Sequence, residues 1–201
     1  PYQITALFGQ GSETYFAFSV KFFRIFLLMA FTNAVNPISS NFFTAIGKEW
    51  MLITAGTPER CNTMTASWGG LGVLWGTNVA TCYIRPQRYT REFVEREAYF
   101  TLAFFGEEHR KALALCGARS GRDIDKIREC GFTVAAGAGN APYFEEAELV
   151  LVCRKLYWQD MDPAHFLDPG IDGKWYPDQD YHRIYIGEIV EALAERAIKM
   201  D

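Results

Sequence analysis

The sequence predicts a mostly β fold, a closed antiparallel barrel with short helices packed outside it. Two observations predict this. Strand-like runs rich in Val, Ile, Thr and aromatic residues recur along the chain and dominate it. The helical stretches are short inserts between consecutive strands, which argues against a doubly wound parallel sheet. There are no internal repeats and no low-complexity linker.

The elements follow in order. Residues 41–46 make one helical turn, stopped by Gly47. Residues 50–55 read as a first buried strand, and 56–60 as a turn. A strand over 61–68 completes a hairpin. Side chains alternate along it, so Thr63, Thr65 and Ser67 share one face. Asn62, Met64, Ala66 and Trp68 share the other. Gly69, Gly70 and Gly72 then form a glycine-rich turn. Residues 79–84 are a third strand, ending at Arg85 and Pro86. Thr90 caps a short helix over 91–97. Residues 99–105 are a fourth strand.

Residues 107–116 are helical, with Leu113 and Cys116 on one face and Gly117 as the stop. Ser120 and Asp123 match a capping box for a helix over 122–130, closed by Gly131. Residues 135–142 are a glycine-rich loop. The longest strand-like run is 148–158. It is apolar on both faces at first, as a central strand should be. Residues 160–180 mix prolines and glycines with acids and aromatics, and read as a long excursion loop. Residues 182–189 are a last strand, and 192–200 a terminal helix.

The chain has 201 residues, enough for one domain with a sizeable core. Hydrophobic residues at 49% and charged ones at 22% are ordinary for a soluble globular protein. The net charge of −4 and the lack of any Lys/Arg block argue against nucleic acid as a partner. Aromatic residues reach 15%, so a flat ligand has stacking partners. The five cysteines are odd in number and never spaced C-x-x-C. A disulfide framework or zinc ribbon is therefore not expected, and the cysteines read as small buried apolar residues in a reducing cytoplasm.

Residues 1–40 differ from the rest. Seven of the 16 Phe fall in the first 31 residues, and Glu13 is the only acid before Glu49. The unbroken apolar run 25–31 is too short to span a bilayer. Three readings stand: a signal peptide cleaved near Ala34, an amphipathic anchor, or read-through sequence over 1–28, with translation starting at Met29. The last is preferred, because the chain opens on Pro1 and Met29 is its first methionine. The domain proper is expected over 41–201, with 1–40 an extension outside it.

Several chemistries lack their motifs. There is no dinucleotide or phosphate-loop fingerprint and no nucleophile elbow. His109, His165 and His182 are not spaced as a metal site. What remains is an anion site. Arg85 and Arg88 stand beside a helix start at Tyr89 and Thr90, where guanidinium forks and free N–H groups suit a phosphate. A second basic helix start carries Ser120, Gly121, Arg122 and Lys126. Its bland alternative is a well-capped, solvated helix. With the hydroxyl-lined strand, these features favour a flat polar ring with a phosphate tail.

These residues carry a resemblance. The stretches 62–69, 83–90, 120–126 and 181–189 are together similar to the flavin reductase-like family, which includes flavoredoxin. The resemblance covers roughly 42–193. It implies the FMN-binding split-barrel fold and a homodimer that holds FMN noncovalently near its interface. It also implies NAD(P)H as co-substrate, with hydride passing from the nicotinamide to flavin N5. Asn62, Thr63, Met64, Thr65, Ala66, Ser67 and Trp68 would line the flavin ring. Arg85, Arg88, Tyr89 and Thr90 would hold the phosphate, with Ser120, Gly121 and Lys126 completing that end. His182 matches the family histidine on the nicotinamide side, a catalytic candidate beside the equal alternative of a structural barrel histidine. The competing function is a flavoredoxin-like electron carrier serving a protein partner. An open face over the ring suits a nicotinamide, whereas a lid of Trp68, Tyr157 or Trp158 favours the carrier.

Overall fold

A computed structural model describes residues 50–194 of the chain. The helical turn expected at 41–46, Met29 and the boundary near residue 40 lie outside the described residues. In order, the strands are β1 (Met51–Thr57), β2 (Arg60–Ala66), β3 (Gly69–Leu74), β4 (Thr77–Ile84), β5 (Tyr99–Phe104), β6 (Val134–Ala136), β7 (Pro142–Phe144), β8 (Leu149–Asp160) and β9 (Arg183–Ala194). The α-helices are α1 (Tyr89–Arg96), α2 (Arg110–Ala118), α3 (Lys126–Cys130) and α4 (Pro169–Trp175). Seven strands form one sheet in the order β2-β1-β5-β8-β9-β4-β3, antiparallel throughout. The fold is the split barrel, with short helices placed outside it.

β8 is the spine of the sheet. It pairs with β5 over its first six residues and with β9 along its length. Register shifts at Val152/Cys153 and Lys155/Tyr157 bend it, because a bulge adds twist to the strand that carries it. One face of the sheet closes on itself around Ile53, Phe100, Leu102, Cys82, Cys153 and Tyr185, all fully or nearly fully buried. Gly187 makes this possible. A Cβ there would stand 2.8 Å from both the Phe100 ring and the Cys153 Cβ. The other face carries Leu52, Ala103, Val150 and Val152, which pack against Leu113 and Cys116 of α2 and against Phe132 and Phe144. The Phe132 and Phe144 rings stack at 4.8 Å.

Several local expectations change. The glycine-rich stretch after Trp68 is strand β3, paired in register with β4 from Gly69↔Cys82 to Leu74↔Thr77. The excursion between β8 and β9 contains α4, started by Asp168, whose side chain accepts from Gly170 N. The loop expected at 135–142 holds the end of β6 and the start of its partner β7. β9 continues to Ala194, where a helix from 192 was expected; Ala192, Leu193 and Ala194 pair with Leu151, Val150 and Leu149. The rest of that helix falls outside the described residues.

The capping residues also change. Arg88 is the N-cap of α1 and makes no side-chain cap. Thr90 is buried within the helix, and its hydroxyl accepts from Asn62 Nδ2 at 2.7 Å. The third helix starts at Lys126, four residues later than expected. Asp125 caps it by accepting from Arg128 N, and Gly131 closes it. Ser120 and Asp123 form no capping box there: Ser120 Oγ accepts from Arg122 N in the preceding turn. Among the described residues no helix is long and apolar enough to cross a membrane.

Candidate functional site

β2 is an edge strand, so every second backbone N–H and C=O on its outer side lacks a ladder partner. A cleft of about 410 Å³ opens beside it, within the ~300–1,000 Å³ of small-molecule sites. Five consecutive residues, Met64, Thr65, Ala66, Ser67 and Trp68, line it. Met64, Thr65 and Ala66 are consecutive within β2, while Ser67 and Trp68 follow its end; the strand therefore presents its edge, since one face would contribute only alternate residues. This corrects the hydroxyl-faced wall. Thr63 is fully buried and lines no cleft here; its hydroxyl bonds to Thr54 Oγ1 at 2.9 Å. The Thr65 hydroxyl is spent on the Leu113 carbonyl of α2.

The rest of the lining comes from the end of β4, the start of α1, the excursion and the residue before β9. These supply Tyr83, Arg85, Arg88, Trp175 and His182, and Trp50, Leu113, Ala114 and Gly117 complete the cleft. Trp68 lies between two rings, with its centroid 5.2 Å from Trp175 and 5.1 Å from His182. Offset and edge-on aromatic contacts of this kind fix a wall without closing it. Trp68 remains 38% exposed, so the row forms one lip of the cleft. Tyr157 and Trp158 do not line it.

The two arginines differ in their commitments. Arg85 Nη1 pairs with Asp180 at 2.5 Å, and Nη2 donates to the Trp175 carbonyl at 2.8 Å. Gln87 donates to the same Asp180 oxygen. These bonds hold the Asp180 carboxyl below its usual range against the opposing effect of burial. They also tie the excursion to the cleft. Arg88 donates from Nη1 to the Gly117 carbonyl at 2.8 Å, which orients its fork along α2.

His182 is buried, with Nδ1 2.9 Å from the Tyr176 hydroxyl. Burial first, then the Arg85 charge, lowers its pKa to about 4. The imidazole is therefore neutral at neutral pH. It can offer or accept a hydrogen bond there, but it holds no ready proton as an imidazolium. The Tyr176 hydroxyl also reaches Met161 Sδ at 3.2 Å.

The remaining candidates gather elsewhere. Asn62, Tyr89, Gly121 and Lys126 line a second depression, with Arg60 and Arg122 among acids. Lys126 is 5% exposed, and its Nζ donates to the Thr63 and Cys116 carbonyls at 2.9 and 2.8 Å. Burial lowers its pKa. Gly121 lies against Asn62, where a Cβ would fall 1.9 Å from Oδ1. Arg122 pairs with Glu92 and covers the Tyr89 ring. So the structure brings Met64–Trp68, Arg85, Arg88 and His182 to one cleft, while Asn62, Thr63, Tyr89, Thr90, Ser120, Gly121 and Lys126 stand outside its lining. The aromatic content of the excursion was the one signal for Trp175. Asp180 and Gly117 carry no sequence signal of their roles.

An edge strand with free backbone groups, two guanidinium groups and a row of flat rings fits a planar, polar ring with an anionic tail. Residues 43–199 match the profile of the flavin reductase like domain. The chain belongs to that family. Among solved structures, flavoredoxin from Methanosarcina acetivorans is 23% identical, with a TM-score of 0.57 over 73% of this chain and 68% of that one. An FMN-binding protein from Thermus thermophilus, with bound p-hydroxybenzaldehyde, is 19% identical at a TM-score of 0.59, over 76% and 74% of the two chains. An NADH:FAD oxidoreductase from Streptomyces globisporus is 16% identical at 0.56, over 74% and 75%. At these identities the structures show the shared fold. No curated protein sequence matches the chain significantly. Among the described residues, no group of three or more His, Cys, Asp and Glu side chains is placed to hold a metal ion.

Proposed function

We propose that this family member is an NAD(P)H-dependent FMN oxidoreductase, working as a cytoplasmic homodimer. The convergence of the β2 edge, Arg85 and Arg88 on one aromatic-lipped cleft carries the reading. Arg88 and Arg85 would hold the phosphate with the donors that Gly117, Asp180 and Trp175 leave spare. Outward N–H groups of 64–68 bond the polar edge of the ring and stabilise negative charge there. Trp68 and Trp175 exclude water from one side. When bound, FMN supplies the hydride and electron chemistry. His182, neutral and held by Tyr176, orients the nicotinamide through a hydrogen bond.

The names of the T. thermophilus and S. globisporus proteins support FMN and the nicotinamide donor, respectively. Exposed Trp75, in the turn between β3 and β4, and Tyr157 and Trp158 of β8, with Trp75 and Tyr157 rings 6.3 Å apart, offer a second copy an apolar face. Five free thiols suit a reducing compartment.

One observation favours the electron carrier. Trp68 stands at the lip of the cleft, half-exposed, where a protein partner could reach it. Anaerobic titration separates the two readings. The protein is loaded with FMN, freed of excess, and its visible band followed as NADH and then NADPH are added. Rapid bleaching is expected. A bound flavin that stays oxidised with both donors overturns the reductase reading in favour of the carrier.

A further inference from the structure

Two of the five cysteines face each other behind the cleft wall. Cys116 lies in the last turns of α2, and Cys130 is the final residue of α3. Their sulfurs are 3.7 Å apart, in van der Waals contact. Cys116 is fully buried, whereas Cys130 is part-exposed. Cys82 and Cys153, by contrast, are sealed within the barrel. Lys126 stands beside the pair, its ammonium on the Cys116 carbonyl. Its charge favours thiolate at both sulfurs, against a burial that pushes Cys116 up to about 12 and raises Cys130 as well.

We propose that Cys116 and Cys130 form a reversible disulfide when the protein meets hydrogen peroxide. Cys130, the less buried residue of the two, reacts first. Its thiolate attacks one peroxide oxygen; an S–O bond forms, the O–O bond breaks, and hydroxide leaves, taking a proton as water. Cys116 then attacks the Cys130 sulfur. An S–S bond forms and the S–O bond breaks. The departing hydroxide takes the Cys116 proton as a second water. Two thiols lose two electrons and two protons, and one peroxide becomes two waters. A dithiol reverses the step by exchange. Closure from 3.7 Å to the ~2.0 Å of a disulfide needs only a small approach of the two helix ends. Each of those ends is a C-terminus, where the backbone gives most readily.

The test uses the full chain. It is incubated with hydrogen peroxide, quenched with catalase, alkylated with iodoacetamide under denaturing conditions and digested without reductant. The expected result is a linked pair of peptides holding Cys116 and Cys130 and, before alkylation, an intact mass lower by two hydrogens. Dithiothreitol should release the link. Cys61, Cys82 and Cys153 should be alkylated as in untreated protein. Cys130→Ser, at the less buried of the two positions, should give no link and leave Cys116 fully alkylated. The proposal is overturned if both cysteines are alkylated as before treatment. It is equally overturned if Cys130 passes to sulfinic acid with Cys116 free, or if the link joins other cysteines or two chains.

Discussion

The segments 85–90 and 120–126 each set basic side chains before a helix, yet the molecule uses them differently. The first ends β4 at the lip of the cleft, and Arg85 and Arg88 both line it. The second packs against the outside of β2. There Lys126 cross-links two buried carbonyls and Arg122 pairs with Glu92. A cation is available to a ligand only where the scaffold leaves it donors to spare. Lys126 has two of its three donors bound in a buried site, while Arg88 carries five donors and spends one on Gly117.

The largest expected effect breaks the second segment. Lys126→Met removes the donor from two buried carbonyls, each of which costs about 1–3 kcal/mol when orphaned. Urea unfolding should show a loss of roughly 2–6 kcal/mol, with flavin affinity of the folded fraction changed little. Unaltered stability alongside lost flavin binding would move Lys126 into the ligand site and erase the contrast.

The next effect tests the first segment. Arg88→Ala should weaken FMN binding by about ten- to a hundred-fold, as expected for a charge-assisted bond of ~1.5–3 kcal/mol. Arg122→Ala should leave it within about two-fold, because an exposed pair contributes little. Fluorescence titration of FMN against both variants decides the comparison. Equal losses would mean that the two helix starts share one phosphate.

The smallest effect concerns pH on the cleft side. The folded pKa of His182 is about 4, below its ordinary 6.5. The unfolded chain therefore binds a proton in that window and the folded one does not. Stability is full above about pH 6.5 and falls as the pH drops toward 4. By pH 5 the loss from this group is roughly 1–2 kcal/mol. His182→Gln should flatten that part of the profile in urea unfolding at pH 7, 6 and 5. An unchanged slope would assign the acid sensitivity to other groups.

Much of the barrel was legible in the residues. β1, β2, β4, β5 and the starts of β8 and β9 announce themselves by β-branched and aromatic runs bounded by turn residues. β3 was not legible. Gly69, Gly70 and Gly72 disfavour a strand, and pairing with β4 overrides them. The end of β9 was misread for the same reason. Ala192, Leu193 and Ala194 have helical propensity, but Leu149–Leu151 across the ladder hold them extended.

The site divides along the same line. By itself the sequence determined the strand expected at 61–68, seen as Arg60–Ala66, and the arginine pair at 85 and 88, because each is carried by residue type and local spacing; His182 was marked only by the resemblance to the family. Only the tertiary structure decided that β2 offers its edge, that Thr63 and Lys126 belong to the scaffold, and that Asp180 already occupies Arg85. The reason is physical. Whether a polar group is free depends on the partner that long-range packing brings to it, and those partners lie 9, 63 and 95 residues away.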